Sequence, residues 1–263
     1  MTAIKEKTSL FSLEKKALPM FSKRLEAEDI LIGMEERIKT GISVLDESLE
    51  GGFVKGTVNL VGGGAGSGKS ILSMQYLVNG IEQFNEPGVY VSFEESEKRL
   101  LRSLSRFSWG LKEKIKNKQL VVLSYNPEQI EKVTQLGGGP LLDTIQSINA
   151  KRIVFDSLNA FVQLHPDPLA QRKASTKLFE AIRNWGVTAL MTAEQEPDPL
   201  NHLSSILEYT VDSVILLYNV RNGDARQRSL EIFKARSTNH SARIMPFKIN
   251  DKGIDVSRDE SIF

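Results

Sequence analysis

The residues best suited to chemistry lie in one glycine-rich stretch. Gly63-Gly64-Ala65-Gly66-Ser67-Gly68-Lys69-Ser70 follows the P-loop pattern of Gly, four residues, Gly-Lys and Ser or Thr, and Ile71 completes the set expected to touch nucleotide. Glycines let the backbone curl until successive N–H groups point inward, and a following helix adds the positive end of its dipole. Such a cradle takes a polyphosphate. Lys69 is placed to reach the β and γ phosphates, and the Ser70 hydroxyl to coordinate Mg²⁺. Glu94 and Glu95 end the apolar run Gly88 to Phe93. At the carboxyl end of a buried parallel strand, two acids can orient and deprotonate a water aimed at the γ phosphate. They can equally open the next helix, with Ser96 or Glu95 as its cap. The run Arg152 to Phe155 closes on Asp156, the Walker B arrangement, opposite Ser70 across the Mg²⁺ shell. Glu194-Gln195, after Val187 to Ala193, can sense the γ phosphate or cap the sheet.

These groups need a scaffold. Thr57 to Val61 reads as a strand feeding the glycine loop, and Leu72, Tyr76, Leu77 and Ile81 put a buried stripe on the helix that leaves it. Further strands are expected at 88–93, 120–125, 152–156 and 187–195, with helices over 141–149 and 169–185. The pair Asn222-Gly223 between Asp212–Val220 and Ser229–Lys234 predicts a β-hairpin, and Ala242 to Val256 another. The fold class is therefore α/β, a mainly parallel central sheet flanked by helices and ending in antiparallel hairpins. Residues 1–36 mix charge clusters with Leu10, Phe11, Leu13, Met20 and Phe21, a pattern fitting short amphipathic helices or a partly disordered tail. Residues 37–263 form the expected domain.

Composition narrows the function classes. The chain has 263 residues, 40% hydrophobic and 25% charged, with a net charge of +1 and no cysteine. That suffices for one full core, gives no global attraction to nucleic acid or anionic membrane, and excludes disulfides and thiolate metal sites. Charges interrupt every N-terminal apolar run, so the expected location is the cytoplasm, without membrane insertion.

Taken together, the P-loop, the double Glu, the short Asp-Ser Walker B and the C-terminal hairpins resemble the KaiC family of RecA-like ATPases. The phrases EPGVYVSFEES, RIVFDS and KARSTNH carry the likeness from about Arg37 to Val256. The resemblance implies ATP and Mg²⁺ as ligands, Glu94 and Glu95 as catalytic glutamates beside Lys69, and Ser70 with Asp156 as metal ligands. It also implies a homohexameric ring with ATP between subunits, where the neighbour supplies Lys234, Arg236, Thr238, His240 and Asp251. Read without the family, Lys234 and Arg236 are solubilising cations on an edge strand. Arg106 stands where family members can use a small residue near the base. Family members that run a clock have two such domains in tandem, whereas this chain has one P-loop, so an oscillator is not expected. Ile206-Leu207-Glu208-Tyr209 occupies the place of adjacent Ser and Thr in the autophosphorylating domain, which argues against autokinase activity despite nearby Ser204, Ser205 and Thr210.

The expected function is a ring-forming regulatory or motor-type ATPase acting on an unidentified protein partner. A recombinase-like, DNA-dependent ATPase is the first alternative. It needs cations on the loops after Asp156 and Gln195, yet no Lys or Arg occurs from Ser157 to Gln171 or from Asn184 to Val220. Nucleic acid is therefore not the favoured partner. The second alternative is a scaffold whose assembly is gated by nucleotide, against which the intact Glu94-Glu95 pair counts.

Overall fold

Each apolar run that reads as a strand is one, as a computed structural model describing residues 35–198, 202 and 205–258 shows. The extension expected over 1–36 lies almost wholly outside the described residues. In chain order the elements are β1 (Arg37–Ile38), α1 (Ser43–Ser48), β2 (Phe53–Val54), β3 (Val58–Gly63), α2 (Lys69–Phe84), β4 (Gly88–Ser92), α3 (Glu97–Ser103), α4 (Leu111–Lys116) and β5 (Leu120–Ser124). There follow α5 (Pro127–Gln135), α6 (Gly139–Ser147), β6 (Arg152–Asp156), α7 (Leu158–Val162), α8 (Pro168–Asn184), β7 (Thr188–Glu194), α9 (Ile206–Thr210), β8 (Ser213–Asn222), β9 (Ala225–Ala235), β10 (Met245–Asn250) and β11 (Gly253–Val256). No helix among the described residues is long and apolar enough to cross a membrane.

β1 and β2 form a small antiparallel pair, and the other nine strands make one sheet in the order β11-β10-β9-β8-β3-β7-β6-β4-β5. From β8 to β5 every neighbour is parallel; β9, β10 and β11 then continue antiparallel. The parallel strands are buried almost throughout, which is why they read as near-continuous apolar runs. Within each strand successive side chains go to opposite faces. Val61, Tyr90 and Val154 pack under α2 with Leu72, Tyr76 and Leu77, whereas Leu60, Val89, Val91, Ile153 and Phe155 pack with Ile145, Leu178 and Ile182 of α6 and α8.

Two expectations change in detail. The hairpin loop has only two residues, Gly223 and Asp224, because Asn222 already pairs with Ala225. β9 is flanked by β8 along its length, while β10 covers its other side only at Ser229 and Leu230, so Lys234 lies beyond the stretch that β10 covers. The basic stretch 109–118 folds as the short helix α4, anchored by buried Trp109 and Leu111.

One ion pair fastens α2 to the sheet. Arg152, fully buried at the start of β6, donates through Nε to Glu86 at 2.7 Å and through Nη1 to the Tyr76 carbonyl at 2.9 Å, and its guanidinium lies 4.6 Å from the Tyr76 ring. Gly80 has no Cβ because Arg152 occupies that space. Removing one partner of a buried pair costs about 3–5 kcal/mol. Arg152→Ala is therefore expected to lower the urea midpoint by that equivalent, and a midpoint within error of the parent would contradict the role given to this pair.

Candidate functional site

β3 carries the glycine loop to the carboxyl end of the sheet. Its last two residues are Gly62 and Gly63, and the loop closes at Gly68, which caps α2 with a φ of 111°, a left-handed conformation natural only to glycine. Lys69 follows at once. Its Nζ donates to the carbonyls of Gly63 (2.9 Å) and Gly64 (3.1 Å), so the ammonium lies over the loop it belongs to. Burial holds it below the ordinary lysine value of 10.5, while the carboxylates of Glu194, Asp156 and Glu94 pull it back up. Ser67 Oγ is buried without a hydrogen-bond partner. An orphaned hydroxyl, a backbone cradle and a buried cation are what a polyphosphate would satisfy.

Sheet order then assembles the acids. β7 lies between β3 and β6, and β4 lies beyond β6. Asp156 thus ends its strand flanked by hydroxyls from both neighbours: Tyr90 of β4 donates to Oδ2 and Thr192 of β7 to Oδ1. Tyr90 also meets the Ser70 side chain; burial and the Asp156 charge hold the phenol well above its ordinary value. Sequence reasoning missed Tyr90 and Thr192. The available signal was a tyrosine in an otherwise aliphatic buried strand, since a buried phenol needs a polar partner.

The two glutamates part company. Glu94 accepts from Ser157 Oγ at 2.6 Å, which ties it to the residue after Asp156, and its charge is felt at Lys69. Glu95 points to Arg99, with Arg99 Nε 3.3 Å from its Oε1, while its backbone bonds Ser92 and Ser124. Ser96 holds the N-cap position of α3, but its side chain makes no capping bond. Gln195, the residue after β7, packs against the end of β3: its side-chain amide fills the space a Gly62 Cβ would need, its Nε2 is buried without a partner, and its N–H donates to the Gly63 carbonyl at 3.3 Å. Asn159 locks the end of β7 through two bonds with the Glu194 backbone, 2.6 and 3.0 Å.

Beyond the loop opens a cleft of about 450 Å³, lined by Lys69, Ser70, Ile71, Ser103, Arg106, Phe107, Arg228 and Ile249. The Arg106 guanidinium stands 4.6 Å from the Phe107 ring, which stacks on Trp109 at 4.2 Å. Arg228 Nε reaches the Gly66 carbonyl at 3.4 Å.

The five residues expected to serve a neighbour are not brought together with this site or wholly with one another. Lys234 pairs with Val214, which pairs with Leu60, so it lies three residues back from Gly63 and two strands away. At about 3.3 Å per residue and 4.8 Å per strand, Lys234 and the P-loop of one chain stand well over 10 Å apart. Its Nζ donates to the carbonyls of Glu208 (2.8 Å) and Val211 (2.7 Å). Arg236 donates to the Tyr209 carbonyl at 3.1 Å, Thr238 Oγ1 accepts from Arg37 at 2.9 Å, and His240 Nδ1 lies 3.1 Å from the Ser241 carbonyl. Asp251 sits instead in the β10–β11 turn, where its carbonyl accepts from Ser108. His202, which reads in the sequence as a simple loop residue, contacts the buried Glu208 carboxylate at 3.0 Å.

Comparison with known proteins agrees with this architecture. Residues 38–261 match the family described as "ATPase: KaiC". The chain is 33% identical over 230 residues to the circadian clock oscillator protein KaiC of Parasynechococcus marenigrum, covering 84% of this chain and 44% of that protein. It is also 33% identical to the proteins of the same name from Prochlorococcus marinus and Synechococcus elongatus, covering 84% of this chain and 46% and 44% of theirs. The chain thus spans less than half the length of these relatives.

Two outcomes follow from the geometry. A depressed lysine loses its charge sooner as pH rises, so polyphosphate binding should begin to weaken below the ordinary lysine range near 10.5. Binding titrations from neutral to alkaline pH should show this loss, and Lys69→Arg, which stays charged, should remove it. Tyr90→Phe deletes a hydrogen bond to a charged acceptor, worth about 1.5–3 kcal/mol, and denaturant unfolding should register that loss.

Proposed function

The chain belongs to the KaiC family of ATPases, and on that premise we propose that it binds ATP with Mg²⁺ in the P-loop cleft and hydrolyses the γ phosphate at sites shared between subunits of a ring. The observation that carries the reading is the convergence of Lys69, Ser70, Asp156 and Glu94 at the carboxyl ends of the parallel strands β3, β6 and β4. Glu94 orients and deprotonates the attacking water; Ser157 fixes its carboxylate. Glu95, engaged with Arg99, supports the turn that presents Glu94. Lys69 leaves the Gly63 and Gly64 carbonyls for the β and γ phosphates.

The donor set suits Mg²⁺. Ser70 and Asp156 offer hard oxygens, and no group of three or more His, Cys, Asp or Glu able to hold a metal occurs among the described residues. Mg²⁺ characteristically keeps waters and substrate oxygens rather than a full protein cage. When bound, it neutralises charge developing on the phosphates. Tyr90 and Thr192 hold Asp156 in place for it.

The sharing of sites is supported by the placement of Lys234 and Arg236, which lie too far from their own P-loop to reach its nucleotide; the Arg236 side chain is 53% exposed and open to an adjacent subunit, while Lys234 is held behind it by the Glu208 and Val211 carbonyls. A cation delivered across an interface stabilises charge on the transferring phosphoryl. Regulation of a protein partner through nucleotide state fits this arrangement. DNA-dependent turnover is less favoured because the loops after Asp156 and Gln195 lack Lys and Arg.

Phosphate release measured alongside solution mass, with and without Mg·ATP, tests the whole reading. Glu94→Gln should keep ATP affinity and lose turnover by about 10²–10⁴-fold, with Glu95→Gln less affected. Parent rates in both single variants and the double variant would remove the glutamates from the mechanism. A rate that stays negligible until single-stranded DNA is added would favour the recombinase-like alternative.

A further inference from the structure

Asp212, between α9 and β8, has connections that the shared-site reading does not use. Its backbone N–H donates to the Val58 carbonyl at 2.8 Å, and its Oδ2 accepts the Val58 N–H at 2.9 Å. The two residues are therefore locked in both directions. Val58 is the first residue of β3, and Gly63 at the other end of that strand opens the P-loop. The same Oδ2 takes Arg183 Nη2 of α8 at 2.9 Å.

The opposite side of Asp212 holds Arg236. Its carbonyl accepts the Arg236 N–H at 3.0 Å, and Oδ1 lies 3.6 Å from Arg236 Nη1. The Arg236 side chain is 53% exposed, whereas that of Asp212 is 18% exposed. A half-buried carboxylate thus steers a guanidinium that otherwise projects outward, and at this separation the attraction directs without locking. Tyr209 gives the second Arg236 nitrogen a carbonyl to rest on.

We propose that Asp212 is a positioning residue that ties the start of each subunit's P-loop strand to the arginine that subunit presents to its neighbour's nucleotide. The proposal rests on the reading that Arg236 acts across the interface. β3 is hydrogen-bonded to β7 and β8 on either side, so Val58 and the Asp212 locked to it form a fixed base from which Arg236 is aimed.

Mixed assemblies test this. Subunits with Arg236→Ala keep their own P-loop but serve no neighbour; subunits with Lys69→Ala do the reverse. Mixing the two should restore hydrolysis. The same mixture with Asp212→Asn placed in the Lys69→Ala subunits should lose about ten- to a hundredfold of the restored kcat, with KM nearly unchanged, because Asn still accepts the Val58 N–H but no longer attracts the guanidinium. Placed in the Arg236→Ala subunits, Asp212→Asn should have much less effect. Arg183→Met, which removes the other partner of this carboxylate, controls for general destabilisation and should leave the restored rate intact. An undiminished rate with Asp212→Asn, or an equal loss with Arg183→Met, would overturn the positioning role while leaving the shared site standing. No restoration in the original mixture would overturn the shared site itself, and the proposal with it.

Discussion

The site depends on where one carboxylate is held. Asp156 ends a strand whose other four residues are buried, and an isolated charge at its half-buried end would be costly. Its neighbours solve the problem in register: a hydroxyl from β4 and another from β7 meet its two oxygens. That requirement fixes much else. β6 must lie between those two strands, β7 must separate it from β3, and the helices that join parallel strands must pass over both faces. Lys69 and Ser70, carried by the loop after β3, then come to the same end of the sheet without any further constraint.

The opposite end of the sheet does different work. There Arg37, Asp212, Lys234, Arg236 and Thr238 are bound to backbone carbonyls and to one another around the beginning of β3. Within one chain the glycine loop and this cluster of cations thus lie toward opposite ends of β3.

Much of this was legible in the sequence because the signals were local. The P-loop spacing, the apolar run closing on Asp156 and the Asn222-Gly223 signal each rest on a few consecutive residues, and the strand, helix and hairpin they predict are present, the hairpin loop one residue later at Gly223-Asp224. What was hidden depends on pairing between distant segments. Tyr90 and Thr192 look like ordinary strand residues until β4 and β7 are known to flank β6. The hold on Lys234 needed α9 and the residue after it to lie beside β9, where the Glu208 and Val211 carbonyls take its ammonium. The division of labour between Glu94 and Glu95 was hidden too, because Ser157 and Arg99 select between them only once the chain is folded.

The amide of Gln75 on α2 exchanges two hydrogen bonds with Ile254 of β11, at 3.0 and 2.6 Å, and Ile249 of β10 lines the cleft beside Gly68. One wall of the cleft beside the glycine loop is thus supplied by a strand remote in sequence, and the Gln75–Ile254 bonds, between residues 179 positions apart, fasten the neighbouring strand to α2. During synthesis the glycine loop emerges early and Ile249 emerges late, so the cleft exists only once the C-terminal strands have packed beside the loop.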